Sequence, residues 1–168
     1  MGGLSCPPIC SWTELTRRKP ISNSTSAQAL SRFATQAQRA LALIGEVNVS
    51  ITSSNQMRSL NRRFRGKNQA TDVLSFPSQT PGVAGDIAIS LEIAARNANA
   101  LGHDPATEVK ILILHGMLHL AGYDHETDDG EMQERERTLR QKFKLPGSLI
   151  ERTHASPAKT IKRGGRRA

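Results

Sequence analysis

Three of the five histidines in this 168-residue chain fall between positions 115 and 125. His115 and His119 are four residues apart, and side chains at that spacing lie on the same face of a helix, about 6 Å apart at Cβ. Gly122 can adopt a left-handed conformation and reverse the chain, which would bring His125 back toward the same point. Three neutral imidazoles leave one tetrahedral position open to water, so the spacing predicts a catalytic type of zinc site.

The residue after His115 limits the chemistry of this site. The spacing H-x-x-x-H-x-x-G-x-x-H is also that of the metzincin proteases. Zinc proteases of this kind need a glutamate directly after the first histidine as general base, and this chain has Gly116 there. We therefore expect a hydrolase in which the metal activates water and polarises a phosphoryl oxygen. A zinc protease or other metallohydrolase is the first alternative.

Asp124 precedes the third predicted ligand. Its carboxylate can accept the second N–H of an imidazole and so orient that ring. It can equally stabilise the turn by accepting bonds from nearby backbone N–H groups. The sequence leaves both roles open.

The element that must carry the first two histidines is the best specified helix in the chain. Asp104 is a cap, Pro105 occupies the first helical position, Glu108 lies in the first turn and Gly122 follows the end. Because residues 109–120 are apolar almost all round, we expect this helix to be buried in the centre of the domain.

Helical and strand patterns alternate before this helix. Apolar residues at helical spacing before Gly45 predict a first helix with an inward face of Leu30, Phe33, Ala37, Leu41 and Ile44. Alternating residues predict a half-buried strand that carries Val47, Val49 and Ile51. A second helix is predicted from a cap at Ser53 or Ser54 to Gly66, with an inward face of Met57, Leu60 and Phe64.

The remaining elements complete an α+β fold. Two strands are predicted at Thr71–Phe76 and Asp86–Ser90, and Ser90 can cap a helix that runs to Gly102. A last helix is predicted to begin at Thr127 or Asp128, with a capping box of Asp128 and Glu131 and an inward face of Met132, Leu139 and Phe143. Together the patterns predict a small mixed β-sheet packed against several α-helices, with a central buried helix carrying two zinc ligands.

Composition divides the chain into three parts. Residues 1–25 are rich in Ser, Pro and Gly and are predicted to be a flexible N-terminal extension, and residues 26–151 form the single domain. Residues 152–168 hold six basic and no acidic residues, so the net charge of +8 falls to +2 for residues 1–151. This predicted flexible basic tail can bind a phosphate backbone or simply aid solubility.

The sequence also indicates the cell compartment. No apolar run approaches the roughly 18 residues that span a bilayer, and the N-terminus lacks the pattern of a signal peptide. Cys6 and Cys10 match neither a C-x-x-C redox motif nor half of a paired zinc site, which favours two reduced thiols. We expect a cytoplasmic protein with neither a membrane nor a nucleotide cofactor as partner.

Four segments follow one another in a distinctive order: FRGK at 64–67, TDVLSFP at 71–77, GDIAIS at 85–90 and HGMLHLAGYDH at 115–125. In sequence, order and separation they resemble the YbeY family, the bacterial rRNA-maturation endoribonucleases, and the likeness covers roughly residues 47–143. The resemblance implies a zinc-dependent, single-strand-specific endoribonuclease that acts in 3′-end maturation of small-subunit ribosomal RNA and in ribosome quality control, with one zinc per chain. It also implies ribosomal RNA and the small subunit as partners.

The resemblance assigns a catalytic role to Arg65, which would line the active-site cleft, and the metal to His115, His119 and His125. From the residues alone, the cations Arg62, Arg63, Arg65 and Lys67 could merely complement the dipole at a helix end. Beside a hydrolytic metal, however, a planar guanidinium can bind two phosphoryl oxygens as negative charge builds on them.

Two points stay open at the level of sequence. The attacking group can be zinc-activated water or the 2′-OH of the RNA itself, and the general base is unassigned. The second alternative function is a non-catalytic ribosome-binding protein with structural zinc, although structural zinc usually has four protein ligands that include cysteine.

Overall fold

The computed structural model describes residues 24–147. Both cysteines, nearly all of the predicted N-terminal extension and the whole basic tail lie outside this range, so those predictions and the domain boundaries stay predictions. The described chain forms five helices and three strands: α1 Ser24–Ala40, β1 Glu46–Thr52, α2 Ser54–Arg65, β2 Val73–Pro77, β3 Val83–Ser90, α3 Leu91–Leu101, α4 Pro105–Leu120 and α5 Glu131–Lys142.

The three strands form one mixed sheet in the order β1-β3-β2. β1 is parallel to β3, with Val49 opposite Ile87, and β2 is antiparallel to β3, with Ser75 opposite Ile87. The alternation in β1 leaves Val47 and Val49 half-buried and Ile51 more exposed. The predicted small mixed sheet and the α+β class are confirmed.

Helix α4 is the centre of the fold. Ten of its 16 residues are buried, and it packs against α1, α3, α5 and the sheet strands β2 and β3. Six large apolar side chains of this helix are no more than 1% exposed: Ile111, Leu112, Ile113, Leu114, Met117 and Leu118. Each such burial contributes roughly 1.5–3 kcal/mol to stability, and the prediction that the helix with two histidines is buried in the centre of the domain is confirmed.

The helix boundaries follow the predicted caps with few exceptions. Ser53 and Gln56 form a capping box at the start of α2, and Gly66 ends it in a left-handed conformation. Ser90 caps α3, and Asp104 accepts from the Thr107 N–H at the start of α4. These caps are local interactions, which is why the sequence predicts them well.

Two inward residues were predicted wrongly. Helix α1 ends at Ala40, and Ile44 is 91% exposed, because the Gln38 side chain donates to the carbonyls of Leu43 and Gly45 and so completes the helix end early. Phe64 is 52% exposed, since its ring packs edge-on against Phe76 rather than into the core.

The start of α5 was also predicted too early. The helix begins at Glu131 after Gly130, which has φ 96° and no side-chain cap. Asp128 still accepts from the N–H groups of Gly130 and Met132, but it lies before the helix and forms no capping box with Glu131. The reason is a turn over residues 124–128, in which Asp124 O accepts from the N–H groups of Thr127 and Asp128.

Candidate metal centre

The three predicted histidines converge at the end of α4. His115 and His119 are one turn apart, and their Nε2 atoms are 3.2 Å from each other. After the helix, Gly122 has φ 92° and Tyr123 N donates back to Leu118 O, so the chain reverses as predicted. The His125 ring centroid then lies 5.3 Å from that of His115 and 5.2 Å from that of His119.

This arrangement fits a transition-metal ion. One nitrogen from each ring can be chosen so that all three lie within 4.8 Å of one another. Tetrahedral zinc with bonds of 2.0–2.1 Å places its ligand nitrogens about 3.4 Å apart, close to the separation of the His115 and His119 Nε2 atoms. The Nδ1 atom of His125 is buried and has no hydrogen-bond partner among the described residues. Because buried polar atoms almost always have a partner, this atom is available to a ligand such as a metal ion.

Electrostatics favour the neutral, metal-binding form of His119. Burial lowers the pKa of this imidazole, and the neighbouring His115 and His125 rings lower it further, to about 4. At neutral pH the ring is therefore uncharged, and a neutral imidazole is the form that binds a metal ion.

A buried carboxylate lies behind His115. Because Nε2 of His115 faces His119, its Nδ1 points the other way, where Glu136 Oε2 is 3.7 Å distant. Burial raises the pKa of the Glu136 carboxyl, but the His115 ring and the Arg140 guanidinium outweigh that effect and lower the pKa to about 2. Glu136 is thus an ionised side chain with no exposed surface.

Arg140 compensates the charge of Glu136. Its Nε and Nη2 atoms donate to Glu136 Oε1 at 3.0 and 2.6 Å, and its Nη1 donates to the carbonyls of Pro146 and Gly147. The guanidinium is 2% exposed. A carboxylate that accepts from the outer nitrogen of a ligand imidazole fixes its tautomer and orientation. At 3.7 Å, Glu136 is within ion-pair distance of His115 Nδ1 but farther than a hydrogen bond, and α5 supplies this carboxylate together with its counter-charge.

Sequence analysis missed Glu136, although a signal was present. It follows Met132 by four residues and precedes Leu139 by three, so it belongs to the apolar stripe of α5. A charged residue inside such a stripe needs a buried partner, and the partner is visible only in three dimensions.

Asp124, the residue predicted to orient an imidazole, stabilises the turn. Its carboxylate accepts from Glu126 N and from Thr127 Oγ1, both at 3.1 Å. These two interactions, the backbone one first, lower the pKa of Asp124 below its usual value. Within residues 24–147 its carboxylate bonds to no imidazole, and its predicted orienting role stays a prediction.

The histidines open onto a cavity of about 450 Å³. Arg65, the last residue of α2, lines the same cavity, although it is 50 positions before His115 in the sequence. Strand β2 supplies one wall and the turn after α4 another: Val73, Leu74, Ser75, Pro77, Gly122, Tyr123 and Asp124. The fold therefore brings Arg65 and the three histidines to the walls of one cavity.

Gly116 lies where α4 presses on the sheet. A Cβ atom at this position would be 2.9 Å from Ile87 Cγ2 and 3.0 Å from Ser75 Oγ. No glutamate can be accommodated there without moving β2 and β3 away from the helix. The structure thus excludes a protease-type general base at this position, in agreement with the sequence argument.

In the described part of the chain, no helix is both long and apolar enough to cross a bilayer.

The sequence is similar to one family of known proteins over most of its length. The family model described as Endoribonuclease YbeY matches residues 13–144. The chain is 57% identical over 138 residues to the endoribonuclease YbeY of Koribacter versatilis, covering 82% of this chain and 91% of that protein. It is 48% identical over 127 residues to that of Solibacter usitatus, covering 76% and 86%.

A solved structure shows the same fold. The solution structure of TM1509 from Thermotoga maritima is 29% identical, with a TM-score of 0.54, and the match covers 86% of this chain and 95% of that one.

Proposed function

Because this chain belongs to the YbeY endoribonuclease family, we propose that it is a zinc-dependent, single-strand-specific endoribonuclease. Its proposed task is 3′-end maturation of small-subunit ribosomal RNA and ribosome quality control in the cytoplasm, with ribosomal RNA and the small subunit as partners. The observation that carries the proposal is the convergence of three imidazoles and Arg65 on one cavity.

The donor set favours zinc among the metals that imidazole binds, and one ion per chain is expected. His115, His119 and His125 would hold it, and Glu136 would keep the His115 ring in the tautomer whose Nε2 faces the ion. When bound, zinc supplies Lewis acidity toward a phosphoryl oxygen and makes water more acidic.

Arg65 is the proposed catalytic residue. It lines the cavity at the end of α2, and arginine is a planar cation that presents several N–H donors to phosphate oxygens. As the phosphodiester is attacked, negative charge grows on the two non-bridging oxygens, and a planar guanidinium can donate to both. Arg65 would therefore bind the transition state more strongly than the ground state.

The test combines metal analysis with cleavage of a ribosomal RNA fragment that spans the 3′ end of the small-subunit RNA. We expect about one zinc per chain, cleavage in single-stranded segments, loss of cleavage with a chelator and recovery with added zinc. Mapping the product ends separates the two routes, because attack by the 2′-OH leaves a cyclic phosphate and attack by water does not.

Three variants assign the roles. His119→Ala should lower both zinc content and stability, since a ligand in a buried helix couples metal binding to folding. Arg65→Ala should retain zinc and lose cleavage, while Arg96→Ala, an exposed arginine on α3, serves as the matched control. Cleavage by Arg65→Ala at the parental rate would show that its catalytic role is wrong.

Two rival functions have their own tests. Chelator-sensitive cleavage of peptides would support a protease in spite of Gly116. Loss of zinc in a Cys6→Ser, Cys10→Ser double variant would mean that a cysteine completes the site, which would support structural zinc in a non-catalytic ribosome-binding protein.

A further inference from the structure

An exposed aromatic ring directly precedes Arg65, the residue of α2 that lines the metal cavity. Phe64 is 52% exposed, whereas Phe33, Phe76, Phe143 and Tyr123 are buried or half-buried. The exposure of so large an apolar group costs free energy that burial would recover, and Phe64 differs in this respect from the other described Phe and Tyr side chains. An exposed aromatic beside a candidate active site is therefore a candidate contact for substrate.

The Phe64 ring is fixed in place. It packs edge-on against Phe76, with ring centroids 5.0 Å apart and planes at 61°. Phe76 lies between Ser75 and Pro77 in β2, and both of these residues line the cavity, as does Arg65, which follows Phe64. Because side chains alternate along a strand, the Phe76 side chain and the Phe64 ring packed on it lie on the face of β2 opposite to the Ser75 and Pro77 side chains. Since β2 is an edge strand of the sheet, the ring and the cavity both lie at the same edge.

Four cations lie within three residues of Phe64 in the sequence. The side chains of Arg62, Arg63, Arg65 and Lys67 are exposed at the end of α2, and none of them makes an ion pair within residues 24–147. The guanidinium carbon of Arg63 lies 5.2 Å from the centroid of the Phe64 ring. Cations without ion-pair partners, together with an exposed aromatic ring, are suited to bind a polyanion whose repeating units also contain aromatic rings.

Single-stranded RNA has both features. Its phosphates match the cations, and its unpaired bases can stack on an aromatic ring, whereas the base faces in a duplex are already covered by neighbouring bases. A partner with an apolar surface would leave the arginines without counter-charge, and a merely acidic partner would make no use of the ring.

We propose that Phe64 is the stacking platform for one unpaired base of the RNA strand that enters the cavity, and that the cations at this end of α2 bind the flanking phosphates. This inference rests on the proposed function, because it names how that site selects single strands. The ring would act as a binding and specificity residue, with no part in the chemical step.

Binding is measured by fluorescence anisotropy with the zinc-loaded full chain on ice, and the integrity of each strand is checked on a gel after titration. Three labelled probes are compared: an adenine-rich single-stranded oligoribonucleotide, the same strand with a central abasic stretch, and its duplex. The variants are Phe64→Ala and, as the control, Leu101→Ala, which removes an exposed apolar side chain at the end of α3. Thermal melting verifies that each variant is folded.

We expect Phe64→Ala to bind the base-bearing strand about five-fold or more weakly, as is typical for the loss of one stacked base. It should bind the abasic strand and the duplex as the parent does, and the salt dependence should keep its slope because no phosphate contact is lost. Leu101→Ala should bind all three probes normally.

A second variant reports on stacking directly. Trp12 is the only tryptophan in the chain, so a Phe64→Trp, Trp12→Phe double variant carries one indole at the platform. The base-bearing strand should quench its fluorescence, and the abasic strand should leave it nearly unchanged.

Several results would overturn the proposal. The first is an unchanged affinity of Phe64→Ala for the base-bearing strand, and the second is an equal loss of affinity for the abasic strand. The third is displacement of the RNA by polyglutamate as effectively as by competing RNA. Each would mean that this surface binds RNA through charge alone. A different result would contradict the proposed function. If the parent protein binds single strands through Phe64 but never cleaves them, the stacking proposal holds and the proposed nuclease activity is wrong.

Discussion

Replacing Glu136 by glutamine removes the negative charge behind His115 and keeps the shape of the side chain. The carboxyl pKa is lowered from 4.5 to about 2 in the folded protein, and a difference of that size corresponds to about 3 kcal/mol of stability at neutral pH. Removal of one member of a buried ion pair typically lowers the free energy of unfolding by about 3–5 kcal/mol, which is similar in size. We therefore expect Glu136→Gln to lower the free energy of unfolding by about 3 kcal/mol in denaturant titrations.

The same substitution should weaken zinc binding. A group that holds the outer nitrogen of a ligand histidine typically changes metal affinity about 10- to 100-fold. By linkage, each tenfold loss in affinity reduces the stabilisation gained from a fixed excess of zinc by about 1.4 kcal/mol. Competition with a chromogenic chelator gives the affinity, and unfolding with and without zinc gives the linked stability.

Arg140→Gln separates these two effects. It breaks the same buried pair, so it should destabilise the fold to a similar extent, yet it leaves the carboxylate facing His115 Nδ1. Zinc affinity should then stay at the parental value or rise. If Glu136→Gln binds zinc as tightly as the parent, or if both variants lose affinity equally, the idea that Glu136 orients the ligand is refuted.

The pH dependence has a definite sign. Since the folded pKa of Glu136 lies below its usual value, its stabilising contribution is complete above about pH 4.5 and is lost as the pH falls toward 2. Parent and Glu136→Gln should therefore converge in stability across that window, and a constant difference between them would contradict the assignment.

Three further predictions concern other parts of the chain. Gly116→Ala should destabilise the protein by about 1–3 kcal/mol, because its Cβ would meet Ile87 and Ser75; an unchanged melting temperature would show that the helix and sheet can separate at no cost. Asp104→Ala should cost about 1 kcal/mol through loss of the α4 cap. Asp104→Asn should keep the cap, but the stability of this variant should no longer change with pH through this group. In the parent, the hydrogen bonds from Thr107 lower the pKa of Asp104, so the stabilisation from its carboxylate is lost as the pH drops below 3.8. Denaturant unfolding at pH 7 and pH 3 checks both variants. Removal of residues 155–168 should lower the affinity for RNA and make that affinity less dependent on salt concentration. If the truncated protein and the parent bind RNA equally at every salt concentration, the tail has no role in binding.

The sequence alone determined the features that depend on neighbouring residues. The i, i+4 spacing placed His115 and His119 on one helical face, and Gly122 provided the reversal that returns His125. The caps at Ser53, Ser90 and Asp104 located three helix starts. Such features are set within one or two turns of backbone, so no distant partner is needed to establish them.

Only the tertiary structure decided which side chains from distant elements meet. Arg65 reaches the metal cavity because α2 ends against the strand that forms one wall. The pairing of Glu136 with His115 requires α5 to pack on α4, and the exposure of Phe64 depends on its contact with Phe76 in β2. Hydrophobic periodicity defines a face of a helix but not the element it will face, so burial of a charge and exposure of an aromatic ring are fixed only when the elements pack together.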